Sequence, residues 1–568
     1  MVYYPHMASI VGKRRGKHTY YYLVESARVD GQPRIVSQQY LGTAEEVLAR
    51  LSGAVGGAPV RSQHKQFGDL AAVWSVLERL DVAGAVDAVV RRRSHAGASV
   101  GAYLALATAN RVVAPCSKLG FADWWATTAG PRWVRLPPAA LDHRRFWEAM
   151  DRLAEGDLRV IETELGRRMV SEFGLDLSGL VLDMTNFATF IDTGNQRAPI
   201  AQRGRAKQKR TDLRLVGLGL VVTRDGGVPV VSHAYAGDRP DVTQFTAVID
   251  ELLARYQELT EQVESLTVVY DAGQNSRDNH TRIEQAGVGF VGSLPPSDHP
   301  DLLAIGTARY TAVDTDRYPG LSCVDTMVTA LGVTRRAVLT YSPTLHQAQS
   351  RGLDQTLAKA RRRLADLQAR LARGRTRRDR KAVEREMTTI LGPRWVADVI
   401  TATLTGDAPA TLRLSWRTDQ AARRRLERRI FGKRILFTNR DTWPVADVVA
   451  AYRSQSEVEA GFRQLKDPHV VSFSPMHHWT DQKIRVHVFY CVLALAVAHL
   501  MRRHAEQAGL RLSVRELLAE LAGIQETVLL YHDGGKGRPR ARRILTDRTP
   551  TQQALYDLFT LDRYAPTR

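Results

Sequence analysis

The chain has 568 residues, of which 80 are Lys or Arg and 60 are Asp or Glu, a net charge of +20 with pI ≈ 10.0. Its hydrophobic share of 44% is large enough for real cores and argues against a disordered chain. The cationic surplus predicts attraction to polyanions, nucleic acid first and anionic membrane second. Cys116, Cys323 and Cys491 lie far apart without metal-ligand spacing, which excludes a disulfide framework and points to reduced thiols in the cytosol. Lys13, Arg14, Arg15 and Lys17 are followed by no apolar segment of the secretory kind.

From the N-terminus, Tyr20–Val24 and Arg34–Leu41 have strand composition, with Asp30-Gly31 as the turn between them. A small β-rich module is expected over 1–60, closing on the glycine-rich stretch Gly53–Gly57. Residues 61–165 have helical spacing, as in Ala71, Val73, Val76, Leu77 and Leu80. Arg91–Arg93, Lys118 and Arg144-Arg145 punctuate it, so a DNA-binding helical domain and a helical connector with solvated charges both fit.

From residue 179 the pattern becomes strand-like. Leu180–Leu182 and Ala188–Ile191 come first, then Leu213–Val222, a turn at Asp225–Gly227, and Val228–Ala234. A helix is expected over Val242–Tyr256, then the strand Leu266–Tyr270. Asp183 and Asp271 each end an apolar run, at the first and fourth strand ends. Three antiparallel strands, a helix and a parallel strand arranged this way resemble the ribonuclease-H-like core. Further on, Leu353, Leu357, Leu364, Leu367 and Leu371 form a heptad-like stripe that stops at the basic turn Arg373–Arg378, with a second helical stretch through Val383 and Met387. Thr411–Trp416 and Arg434–Thr438 look like strands. Val486–Met501 reads as a buried core helix, interrupted by His487 and His499 and short of a membrane span.

The stretch Tyr452–Lys466 carries the third acid. Taken as one helix at about 100° per residue with Tyr452 at zero, Gln455 falls near about −60°, Glu459 near about −20° and Lys466 near about −40°, while Glu457 points near about 140°. Val458, Phe462 and Leu465 make the adjacent apolar stripe. Helix geometry therefore favours Glu459 over Glu457 as a partner for the two aspartates. A charged surface face with a glutamate and a lysine is the ordinary alternative.

These residues carry a family resemblance. Tyr452, Glu459 and Lys466 are spaced as in the tyrosine-arginine-glutamate-lysine signature of bacterial insertion-sequence DDE transposases, the insertion-sequence-four-like group, with Gln455 in the arginine place. Asp183-Met184-Thr185 and Asp271-Ala272-Gly273 are similar to its first and second acid motifs, and Gly204, Lys207, Lys209, Arg210, Asp212, Gly237-Asp238 and Asp241 resemble the segments flanking its hairpin. The resemblance implies an α/β multidomain chain. A ribonuclease-H-like mixed sheet with flanking helices would span 166–295 and 433–510. An insertion subdomain with a basic helical hairpin would fill 296–432, and a helical basic tail 511–568.

The resemblance also implies chemistry. Asp183, Asp271 and Glu459 would hold two Mg²⁺ ions, with Mn²⁺ able to substitute. Asp183 would bridge them, Asp271 completing one and Glu459 the other, for strand cleavage and strand transfer at the ends of an insertion sequence. Lys466 would hold a phosphate of the transposon end, and Tyr452, Gln455, Arg463, Lys207, Lys209 and Arg210 would contact DNA. Trp416 is either a core residue or a platform for a flipped base. The arginine runs 361–363 and 423–425 either track phosphates or lie on a solvated helix face. His477, His478 and His487 lack a third zinc ligand at metal spacing and are expected in core or polar surface. The implied partners are double-stranded DNA, as terminal inverted repeats and target, and a second copy of the chain in the DNA complex. A nucleoid-associated cytoplasmic location is expected, with no membrane. A transposase-derived DNA-binding regulator and a ribonuclease-H-like nuclease without strand transfer stay open as alternatives.

Overall fold

The structure, a computed structural model, describes residues 7–29, 32–48, 59–90, 97–204, 212–259, 266–374, 378–531 and 540–567. The chain divides into two compact units. One comprises 1–72, 123–135 and 518–568; the other comprises 73–122 and 136–517.

The first unit opens with an antiparallel meander of β1 (Met7–Arg15), β2 (His18–Val29) and β3 (Gln32–Thr43). The predicted turn at Asp30-Gly31 and the stretch Gly53–Gly57 lie outside the described residues. β1 has no counterpart among the expected strands, because Lys13, Arg14 and Arg15 mask its alternation. β4 (Arg61–Gln66) is a strand where the sequence suggested helix from residue 61.

The larger unit begins with helices. α1 (Gly68–Arg79) leads into it, followed by α2 (Val82–Val89), α3 (Val100–Val113), α4 (His143–Met150) and α5 (Glu155–Phe173). Then comes the central sheet. β5 (Gly179–Thr189) is one unbroken strand, not two, and Asp183 lies inside it rather than at its end. Met184 to Phe187 continue the pairing with β6 (Arg214–Thr223), which pairs with β7 (Pro229–Ala236), all antiparallel. α6 (Asp241–Leu259) crosses back to β8 (Thr267–Val269), which pairs parallel with β5 and with β9 (Gly289–Leu294). The order is β9-β8-β5-β6-β7. Strand β9 is buried at every position, as expected for an interior strand covered on both faces.

Residues after β9 extend this sheet rather than forming a wholly separate body. β10 (Thr311–Ala312), β11 (Ser322–Ala330) and β12 (Val333–Tyr341) add to it, joined to β9 through the later strand β15 (Lys433–Thr438). Between β12 and β15 the chain makes the predicted helical hairpin. α7 (Pro343–Ala372) starts at Pro343 with the Ser342 hydroxyl accepting from the Leu345 amide. All five stripe leucines are buried, and Val383 of α8 (Arg380–Leu391) is buried beside them. Full burial of such a side chain contributes about 1.5–3 kcal/mol. The hairpin β13 (Ile400–Thr405) and β14 (Arg413–Thr418), then α9 (Gln420–Ile430), complete this excursion.

The expected single helix over Tyr452–Lys466 is two helices, α10 (Val445–Arg453) and α11 (Gln455–Leu465), separated at Ser454. The Ser454 hydroxyl turns back onto the Ala451 carbonyl, a local competition that serine favours. α12 (Asp481–Gln507) is longer than the expected apolar segment. It passes the length and composition test for a membrane span, yet 94% of its most apolar window is buried within the protein. His487 gives Nε2–H to the Phe473 carbonyl and His499 gives Nδ1–H to the Gly227 carbonyl, so both are core histidines. α6 covers one face of the central sheet, with Val248 over Gly219. α11 covers the other.

The C-terminal region expected to be helical contains α13 (Val514–Ala522), β16 (Gln525–Tyr531), β17 (Arg540–Leu545) and α14 (Pro550–Leu558). In the first unit β16 pairs with both β4 and β17. Glu526 on β16 is fully buried and ion-paired to Arg132 and Arg543, the condition under which a buried carboxylate is tolerated.

Leu364→Ala should destabilise the α7–α8 hairpin by about 2–5 kcal/mol in chemical denaturation. The exposed neighbour change Lys359→Ala should stay within about 0.5 kcal/mol.

Candidate functional site

Strand register brings the two aspartates to equivalent places. Val181 of β5 and Val269 of β8 are partners in the parallel pairing, and Asp183 and Asp271 each lie two residues beyond. With side chains alternating along extended chain and neighbouring strands about 4.8 Å apart, both carboxylates sit on one face at the same level. β8 ends at Val269, and Asp271 is still extended (φ −89°, ψ 163°) before a short turn of helix. Asp183 is half-buried and Asp271 exposed.

Tyr452, at the end of α10, ties that helix to Asp271. Its hydroxyl lies 3.2 Å from Asp271 Oδ1 and 3.0 Å from Ser293 Oγ, and Ser293 Oγ lies 3.3 Å from the same Asp271 oxygen. Burial pushes the Tyr452 phenol above its usual ionisation range, with the Asp271 charge acting in the same direction, so it stays a neutral donor. Ser293 was not singled out from sequence. A serine in the otherwise apolar run Gly289–Leu294 was the available sign, since a polar side chain in an interior strand needs a partner.

α11 docks on the face of β5 that carries Asp183. Lys466 Nζ donates to Thr185 Oγ1 at 2.7 Å and lies 5.5 Å from the Phe187 ring centre. Thr185 and Phe187 have the parity of Asp183. On this helix the two glutamates separate as expected from the helical wheel despite the break at Ser454. Glu457 is held by Arg502 at 2.7 Å, while Glu459 is exposed and lines a cavity with Tyr452 and Gln455. Glu459 makes no hydrogen bond or ion pair among the described residues.

The structure thus joins Tyr452 to Asp271 and Lys466 to β5. It does not close the three acids into a cage: among the described residues no three His, Cys, Asp or Glu side chains lie close enough to hold an ion together. Lys207, Lys209 and Arg210 lie outside the described residues. Arg463 is exposed on α11. Trp416 is half-buried on β14, opposite Ala402. Gln455 is 8% exposed, and its Nε2 has no hydrogen-bond partner. Arg434, on β15, was missed. Its guanidinium lies 5.6 Å from the Tyr452 ring centre, a placement set by strand pairing far along the chain.

The described residues thus show two aspartates in equivalent register on a parallel strand pair, and a helix bearing Glu459 docked on the Asp183 face of β5. The family model described as "Transposase DDE domain" matches residues 176–496, more than half of the chain. The chain belongs to this family of DDE transposases, whose members are DNA-cutting and DNA-joining enzymes that use divalent metals. No curated protein matches it. Among solved structures it is similar to one described as "Cryo-EM structure of piggyBac transposase synaptic complex with hairpin DNA (SNHP)", at 8% identity and TM-score 0.36, covering 89% of this chain and 85% of that one.

Tyr452→Phe removes one of the two hydroxyl donors to Asp271. It should raise the Mg²⁺ concentration needed for half-maximal DNA cleavage about 10–100-fold, with an unchanged melting temperature.

Proposed function

We propose that this chain is an insertion-sequence transposase of the insertion-sequence-four-like group, cutting the ends of its element and joining them to target DNA. The observation that carries this reading is the equivalent register of Asp183 and Asp271 on adjacent parallel strands, with the Glu459 helix docked on the same face by Lys466 and Thr185. The strand order β9-β8-β5-β6-β7, with only the β8 and β9 pairings parallel, supports a ribonuclease-H-like core. Residues 61–165 are proposed to contribute DNA binding, and the segment 296–432 is the insertion.

The donor chemistry, though not a closed cage, suits Mg²⁺ or Mn²⁺, which Asp183, Asp271 and Glu459 would hold. The donors are carboxylate oxygens only, and Asp271 is braced at Oδ1 by two hydroxyls. Glu459 has no competing partner among the described residues. When bound, such ions would supply activation of water or a DNA 3′-hydroxyl and neutralisation of charge on the leaving oxygen. The protein's own parts do the rest. Asp183, inside β5, and Asp271, two residues past the end of β8, would hold the ions. Tyr452 and Ser293 keep Asp271 oriented. Lys466 anchors α11 and presents a cation near the phosphodiester. The protein's partners are proposed to be double-stranded DNA, as terminal inverted repeats and target, and a second copy of the chain that pairs the two ends. Action at the nucleoid in the cytoplasm follows from that substrate.

Asp183→Asn, Asp271→Asn and Glu459→Gln should each reduce Mg²⁺-dependent cleavage of end DNA more than about 100-fold while end binding stays measurable. Full cleavage by any of the three would refute the assignment. Hydrolysis without joined product would favour a nuclease.

A further inference from the structure

In the first unit β17 lies at one end of the strand order β17-β16-β4, so among the described residues one of its edges has no strand beside it. A cavity of about 1070 Å³ opens there, lined by residues 541–545 of β17, by Arg132 and by the C-terminal stretch 565–567. Successive residues of a strand face opposite ways, so all five border one space only where the backbone edge itself opens into it. The pairing register says which backbone groups are presented. The Thr546 N–H donates to the Gln525 carbonyl at 3.0 Å, and antiparallel pairs alternate between bonded and non-bonded, so Arg542 and Ile544 bond inward to β16. Ala541, Arg543 and Leu545 therefore turn their N–H and C=O groups toward the cavity. On the opposite edge of β16 the Val60 N–H donates to the Leu530 carbonyl at 2.9 Å, which agrees with this parity.

The lining carries three arginines and no acid. Arg132 and Arg543 share one carboxylate, that of the fully buried Glu526. Arg542 is exposed and makes no ion pair or hydrogen bond among the described residues. It has the parity of the exposed Ile544. The far wall is held in place: Arg132 donates to the Tyr564 carbonyl at 2.7 Å, and the Tyr564 ring packs edge-on to Trp133 at 5.3 Å between centres.

We infer that the free edge of β17 takes an added strand, an extended acidic segment of a partner protein. This goes beyond the transposase reading and does not depend on it. β17 is six residues long. A matching strand, at about 3.3 Å per residue, about 4.8 Å from its neighbour and in a layer about 10 Å thick, fills about 950 Å³, close to the cavity. The outward N–H and C=O groups of Ala541, Arg543 and Leu545 supply donors and acceptors alternately, as strand addition requires. Arg542 selects a carboxylate opposite it, and Ile544 an apolar side chain two residues away on the same face. A second copy of β17 would set arginine against arginine. Arginines on an edge strand guard against identical edges, and the same charge admits an acidic one. A nucleic-acid backbone offers phosphates that only accept, which leaves the outward carbonyls without donors.

The test uses the full chain and a fluorescent octapeptide, Glu-Thr-Val-Thr-Glu-Thr-Val-Thr, followed by anisotropy. Three comparison probes are the same peptide with lysine for glutamate, the acidic peptide N-methylated at alternate amides, and a short oligothymidylate. The acidic peptide should bind the wild type, with the lysine and N-methylated peptides each about tenfold weaker or more. Arg542→Glu should weaken the acidic peptide about tenfold and improve the lysine peptide, a reversal that misfolding cannot produce. Ala541→Pro removes one outward N–H, a change an edge strand tolerates, and should abolish peptide binding with circular dichroism unchanged. Absence of wild-type binding, equal binding of the N-methylated peptide, or unchanged affinity in Arg542→Glu overturns the inference. Oligothymidylate binding that falls in Arg542→Glu while peptide binding does not assigns the edge to nucleic acid and also overturns it. No arm involves cleavage, so failure here leaves the transposase reading untouched, and failure of that reading shows only as absent Mg²⁺-dependent cleavage.

Discussion

The parallel pairing of β5 with β8 is the constraint on which the site depends. Gly179, Leu180 and Val181 meet Thr267, Val268 and Val269 in register, all buried. A slip of one residue would turn every side chain to the opposite face and move one aspartate away from the other. The apolar residues that fix the register therefore also fix where the two aspartates stand. β8 is only three residues long, so Asp271 leaves the sheet at the level where Asp183, still inside β5, is half-buried. The two carboxylates have different surroundings for that reason: one is framed by a continuing strand, the other by a turn and by hydroxyls from β9 and α10.

The helices then supply what the strands cannot. Tyr452 reaches Asp271 from α10, and Lys466 clamps α11 to Thr185. The break at Ser454 lets the two helices serve different strands. Glu457 is consumed by Arg502 in packing α11 on α12, which leaves Glu459 exposed at the cavity. The excursion between β12 and β15 is more than a spacer, because β15 enters the central sheet beside β9 and carries Arg434 to the ring of Tyr452.

Much of this was legible in the sequence where a periodic pattern and burial coincide. The leucine stripe of α7, the strands β6 and β7, and the opposed placing of Glu457 and Glu459 on α11 follow from spacing alone. What escaped was set by long-range pairing. Asp183 looked like a strand end because Asp183, Thr185 and Asn186 interrupt the apolar run, yet β6 pairs through all of them. Strands β1, β4 and β16 are rich in charged or polar side chains and conceal their alternation. Ser293 and Arg434 acquire meaning only from the neighbours that folding gives them. Ser454 gave no period to read, since its effect is one side chain's competition for a carbonyl.

The central claim is that Asp183, Asp271 and Glu459 serve one divalent-ion site. Fe²⁺-directed hydroxyl-radical cleavage of the polypeptide tests it directly, because cuts fall where the chain passes the bound ion. Cuts near residues 183, 271 and 459 that rise together and are suppressed together by Mg²⁺ are predicted. Mg²⁺-suppressible cuts near only two of the three, or in other segments, would contradict it.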